Sequence, residues 1–149
     1  MNPKDTAKAL YAAFNAHNIP GILALLEPNV IWDSFGPDIA LATGTFRGHP
    51  GVLDFFAKLI GPQTGQQVDK LFEPMLYFEG DGTVHVIGIE TGVLTGRAGN
   101  GTLAGKTFYN DFDHTIWFGK TGLISHFRAN YQLSLKQPPS WPGWGGKAE

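Results

Sequence analysis

The sequence predicts an α+β fold, with three N-terminal helices packed on one face of a strongly curved, mostly antiparallel sheet. Three observations carry this. Up to about residue 61, apolar side chains recur at spacings of three and four, the period of a half-buried helix. From Gln66 onward the period falls to two, broken by glycine-rich turns. Helices first and strands after belong to segregated layers, not to the alternation that builds a parallel sheet. A curved sheet roofed by helices encloses a conical hollow, a natural place for a small molecule.

Taken in order, Asp5 or Thr6 caps a first helix running to about His17, with Ala7, Leu10, Tyr11 and Phe14 as its apolar stripe. Asn18-Ile19-Pro20-Gly21 interrupts it, and Pro20 suits the first turn of a short second helix. Residues 30–33, Val-Ile-Trp-Asp, read as a short strand, followed by a loop from Ser34 to about Thr45. Phe46 to Gly51 leads into a third helix whose buried stripe is Val52, Phe55, Phe56, Leu59 and Ile60, ended by Gly61-Pro62. Strands follow at 67–79 and 83–94 around a Gly80-Asp81-Gly82 turn. Gly-rich residues 96–101 then lead to a long strand at 103–118 and another at 123–135. Residues 1–136 make one domain, and the Pro/Gly/Trp tail 137–149 reads as irregular structure.

Composition narrows the function classes. A hydrophobic fraction of 42% suits a globular chain, and a formal charge of -2 offers no basic field for nucleic acid. No cysteine is present, which removes disulfides, thiolate catalysis and cysteine metal sites. The N-terminus has no long apolar run, so neither a signal peptide nor a membrane anchor is expected, and the expected location is cytoplasmic. The five histidines show no paired ligand spacing, so no metal and no cofactor are expected.

The strand at 107–118 holds the most informative face. By the period of two, Phe108, Phe112, Ile116 and Phe118 share a side with Asn110 and His114. Asp111 and Asp113 alternate with them, and a one-residue slip would exchange the two sets. On the last strand Phe127, Ala129 and Tyr131 share a face, and His126 and Arg128 take the other. His114 on an apolar face is either a satisfied core histidine or a proton donor or shuttle. Asn110 either orients it, binds a substrate oxygen or bonds a strand edge. Asp33, after an apolar run, is either a base at a pocket edge or a turn carboxylate bonding nearby amides. Trp32, Phe56, Phe112, Phe127 and Tyr131 are candidate walls of the hollow, and His85 is a further pocket candidate.

The order of elements, with Val30-Ile-Trp-Asp33, Gly44-Thr-Phe-Arg-Gly48 before an apolar helix, and the terminal Gly-Leu-Ile-Ser-His-Phe-Arg strand, resembles the SnoaL-like, ketosteroid-isomerase-related proteins. These share the cone-shaped α+β barrel of nuclear transport factor 2. The resemblance covers about residues 4–135. It implies that Asp33 stands where the isomerases carry their proton-shuttling aspartate, and His114 where they carry a protonated aspartate of the oxyanion hole. It matches the isomerase tyrosine to Leu10, with Tyr11 one position off, so steroid isomerisation itself is not implied. It also implies a homodimer through the sheet, with Trp117 and Tyr109 contributing.

The expected function is therefore a cofactor-independent acid–base enzyme of isomerase, dehydratase, epoxide hydrolase or polyketide cyclase type. Its ligand would be a small, mostly apolar, oxygenated molecule, with Asp33, His114 and Asn110 catalytic and Tyr11 among the binding residues. The alternative is a non-catalytic dimeric module of the same fold that binds a small molecule or docks a protein.

Overall fold

The computed structural model describes residues 1–36 and 40–132. Helix α1 spans Pro3–Asn15 and is capped by Asn2, whose side-chain oxygen accepts the Asp5 amide at 2.8 Å. The cap thus lies upstream of Asp5 and Thr6, because Pro3 takes a first-turn position where its missing amide proton costs nothing. Helix α2 (Ile19–Leu23) is capped by Asn18 in the same way.

Strand β1 runs from Leu26 to Phe35, longer than the sequence pattern suggests, and β2 (Gly44–Arg47) lies inside what reads as loop. The extra length of β1 has a local cause. The β1 ladder with β6 shifts register between Leu26 and Ile31, across Pro28, which has no amide to donate. That irregularity hides the period of two. Helix α3 (Gly48–Ile60) follows, then β3 (Gln67–Gly80), β4 (Thr83–Leu94), β5 (Thr107–Phe118) and β6 (Ile124–Gln132). The last expected strand residues, 133–135, and the tail with Trp141 and Trp144 lie outside the described residues.

The six strands form one sheet in the order β2-β1-β6-β5-β4-β3. Neighbours are antiparallel except β1 and β6, which run parallel. Bulges in β3 and at the β5–β6 end bend the strands and curl the sheet. Helix α1 packs on β3 and β4 while α3 packs on β1, so the helices close the inner face. Trp32 stacks on Phe127 at 4.1 Å, and Phe14 meets Phe56 and Phe72 edge-on at 5.1 and 4.5 Å. Each such ring contributes about 1.5–3 kcal/mol on full burial, which fastens the helices to the sheet.

Two glycines on β4 shape the interior. Gly88 and Gly92 lie opposite Phe112 and Phe108 in the β4–β5 ladder. A β-carbon on either would stand 2.7 Å from the facing ring. The rings of β5 therefore lie flat over β4 because two side chains are missing there. Between the glycines stands Glu90, opposite Asn110.

Among the described residues no helix is long and apolar enough to cross a membrane.

Candidate functional site

The register of β5 puts Asn110, Phe112 and His114 on the inner face, buried, as the alternation of the sequence requires. His114 is 2% exposed and stacks on Phe112 at 4.2 Å. From α1, the Tyr11 hydroxyl reaches His114 Nδ1 at 2.7 Å. Two neutral tautomers satisfy that bond, either the phenol donating to Nδ1 or Nδ1–H donating to the phenol oxygen. Burial, then the charges of Lys70 and His85, hold His114 well below the usual histidine value, so it is uncharged at neutral pH. Burial, with Tyr77 and Glu90 nearby, pushes the Tyr11 hydroxyl well above its usual value and keeps its proton on.

A second polar group lies beside this pair. Lys70 Nζ donates to Glu90 Oε2 at 2.5 Å, and Asn110 Nδ2 donates to Glu90 Oε1 at 3.0 Å. Both members of the ion pair are buried. The Lys70 ammonium also lies over the Phe72 and Phe108 rings, 4.9 and 5.3 Å from their centroids. Burial pulls the Lys70 pKa down; the charge and hydrogen bond of Glu90 oppose this and recover only part of it.

Lys70 faces inward because of a backbone irregularity. Val68 pairs with Val93 and Leu71 with Thr91, so Asp69 and Lys70 together oppose Gly92. Asp69 takes a left-handed φ of 51°, and the extra residue turns Lys70 and Phe72 to the interior while Val68 and Leu71 stay outside.

Trp32, Ser34, Lys70, Phe72, Glu90 and His114 converge on a cavity of about 20 Å³, space for about one water. Asp33 is absent from this wall. Trp32 and Ser34 point inward, so Asp33 between them points to the opposite side of the sheet. There Thr45 Oγ1 donates to Asp33 Oδ1 at 2.6 Å, His126 Nε2 lies 2.7 Å from Oδ2, and an Arg128 nitrogen lies 3.6 Å away. Burial alone would raise the Asp33 pKa. The bonds from Thr45 and His126, with the charges of His126 and Arg128, outweigh it and hold the carboxyl below its usual value. The expectation that Asp33 and His114 open into one chamber is therefore corrected: the sheet stands between them.

The other expected residues divide. Trp32 and Phe127 line the cavity, whereas Phe56 and Phe112 are buried without facing it. Tyr11, one position from the expected tyrosine site, does supply a hydroxyl to the interior. Asn110 bonds Glu90, not His114. His85 lies on the outer side of β4, 2.7 Å from Asp113 and bonded to Thr115, away from the cavity. The Tyr131 side chain is not among those described. Lys70, Glu90 and Ser34 were missed. The one readable signal was Gly88-Ile-Glu-Thr-Gly92, a charge between two glycines on an otherwise apolar strand. Among the described residues no group of three or more His, Asp or Glu is placed to hold a metal ion.

Residues 7–127 match the family model described as the SnoaL-like domain. No curated protein matches the sequence significantly. Among solved structures, an NTF2-like protein of unknown function from Burkholderia pseudomallei superposes with TM-score 0.73 at 24% identity, covering 88% of this chain and 91% of that one. TerC, co-crystallised with polyporic acid, gives TM-score 0.69 at 25% identity, covering 87% and 90%. A Mycobacterium tuberculosis protein in complex with estradiol-17β-hemisuccinate gives 0.66 at 19%, covering 87% and 93%.

Proposed function

The chain belongs to the SnoaL-like domain family, with the NTF2-like α+β fold, and from that premise we propose that it is a cofactor-independent acid–base enzyme acting on a small, mostly apolar, oxygenated molecule inside the curled sheet. The observation that carries this is His114, fully buried, uncharged, bonded to Tyr11 at 2.7 Å and sharing a cavity wall with the Lys70–Glu90 pair. With Tyr11 donating to Nδ1, His114 offers its Nε2–H to a substrate oxygen on which charge develops. Glu90 accepts the proton from the adjacent carbon, using a lone pair left on an oxygen already bonded to Lys70 or Asn110. Lys70 supplies the compensating charge. Glu90 thus takes the base role that the family position suggested for Asp33, which instead ties β1, β2 and β6 together through Thr45 and His126.

The solved structures of this fold obtained with polyporic acid and with estradiol-17β-hemisuccinate support a small-molecule ligand. A molecule larger than water requires the rings over the cavity to part, Phe14 of α1 and Phe55 of α3 being the helical side of it. The test is α-proton exchange of 2-tetralone in D₂O, followed by NMR. The protein should accelerate exchange above buffer, and His114→Gln should lower that acceleration about 100-fold. Exchange no faster with the protein than without it would overturn the reading.

The complex of a protein of this fold with estradiol-17β-hemisuccinate favours a second reading, a non-catalytic binder of the same molecules. Binding of 2-tetralone with no exchange would select it. We further propose a homodimer through the outer face of the sheet, where Val68, Leu71, Leu76 and Phe78 of β3 stand 45–52% exposed. Sedimentation equilibrium should give twice the chain mass, falling to one chain mass in Leu71→Glu; a monomeric parent would refute it.

A further inference from the structure

Among the described residues, two polar atoms of side chains in the cavity wall have no partner. Ser34 is 1% exposed and Trp32 is fully buried, yet the Ser34 hydroxyl and the Trp32 indole Nε1 make no hydrogen bond to any described residue. Leaving such groups buried and unpaired destabilises a fold, so a wall that holds two of them needs a reason. Their neighbourhood supplies one. Ser34 pairs with Ala129 on β6, and Ala129 pairs with His114 on β5. The three form a row across the inner face, and strand spacing sets Ser34 and His114 about 10 Å apart at the backbone. The residue between them carries only a methyl group. A gap therefore opens over Ala129, with an unpartnered hydroxyl at one side and the His114 ring at the other. Trp32, two residues before Ser34 on the same face, lies against Phe127 and forms its flat wall.

We propose that Ser34 and Trp32 form an oxygen-binding subsite, which holds a neutral acceptor oxygen of the bound molecule in the gap over Ala129. The chemistry sets the ligand class. The indole N–H is only a donor and the serine hydroxyl can donate beside it, so the group they receive is a carbonyl or phenolic oxygen. Among the described residues the two charged groups in the cavity wall, Lys70 and Glu90, are paired with each other, so the oxygen belongs to an uncharged molecule. The stacked Trp32 and Phe127 rings fit a flat, conjugated or aromatic body behind it. The subsite rests on the reading of the interior as a binding site, and in a molecule with a single oxygen, such as 2-tetralone, it holds from the β1 side the same oxygen that the His114 Nε2–H meets across the gap.

The experiment compares 2-tetralone with tetralin, the hydrocarbon that lacks its oxygen, by calorimetric titration of the whole protein. The parent should bind 2-tetralone at least about tenfold more tightly than tetralin. Ser34→Ala should remove most of that preference while leaving tetralin affinity unchanged, and Trp32→Phe should do the same in part. Thermal melting shows that each variant is folded, and Ser34→Ala, which deletes an unpaired buried hydroxyl, should melt no lower than the parent. Equal affinity for both compounds, or an unchanged preference in folded Ser34→Ala, overturns the subsite and leaves the interior as a binding site. Failure of the parent to bind either compound overturns both together.

Discussion

Two histidine–oxygen bonds of the same length, 2.7 Å, lie on opposite sides of one sheet. Inside, His114 meets a phenol and is sealed from water by rings. Outside, His126 meets the Asp33 carboxylate and remains 25% exposed, stacked on Trp117 at 4.4 Å. The inner histidine is held uncharged by burial and by a neighbouring ammonium. The outer carboxylate is held ionised by donors on the two flanking strands, β2 and β6. Residue types alone favour the outer pair as the reactive one, since an aspartate beside a histidine has the look of a catalytic dyad. Burial and neighbours point the other way. Burial moves the His114 and Tyr11 pKa values away from their ordinary ones and His114 faces a cavity, whereas Asp33 and His126 fasten a strand junction away from it.

The largest expected effect tests whether the interior is as dry as this contrast requires. Lys70→Met leaves the Glu90 carboxylate buried without its counter-ion and should cost about 3–5 kcal/mol in urea denaturation. Lys70→Met combined with Glu90→Gln should recover much of that loss. A single-variant cost below about 1 kcal/mol would mean that water reaches Glu90, and the contrast between the two faces would collapse.

A smaller effect separates the faces by pH. His114 has a lower pKa folded than unfolded, so the unfolded chain takes up the proton first. Its contribution is complete above the unfolded value of about 6.5 and is lost as pH falls below it, toward the folded value. Asp33 also has a depressed folded pKa, and its contribution is complete above about 3.9 and lost as pH falls through the folded value. Urea midpoints measured from about pH 8 to about pH 3 should therefore show two declines. His114→Gln should flatten the upper one and Asp33→Asn the lower one. A parent curve with no slope between about pH 6.5 and about pH 5 would show that His114 titrates as in the unfolded chain.

What the sequence made legible follows from where the backbone is regular. β5 alternates without a break over its inner face, so Asn110, Phe112 and His114 were readable as a set, and the structure keeps them together. Lys70 was hidden because the extra residue at Asp69 reverses the alternation of β3 just before it. Asp33 was misassigned because nothing local distinguishes Trp32-in from Asp33-in at a strand end; the place of Ser34 in the cavity wall decides it, and that depends on pairing with Ala129, 95 positions later by number. Tyr11 shows the same limit on a helix. One step turns a side chain by about 100°, too little to exclude it from the buried face, so matching to Leu10 understated what Tyr11 reaches. The layered architecture survived all of this because it rests on many positions at once, whereas each site residue rests on its own register.

The parallel junction of β1 with β6 carries a consequence for assembly. Every other neighbouring pair in the sheet joins segments that are adjacent in the chain, so β3 to β6 can zip together by successive hairpins. The β1–β2 ribbon has no such route. Within the sheet it meets only the last strand of the series, a pairing that closes a loop of nearly the whole domain. Because Trp32 and Ser34 stand on that ribbon, the far wall of the hollow depends on the sheet contact of longest span in the chain.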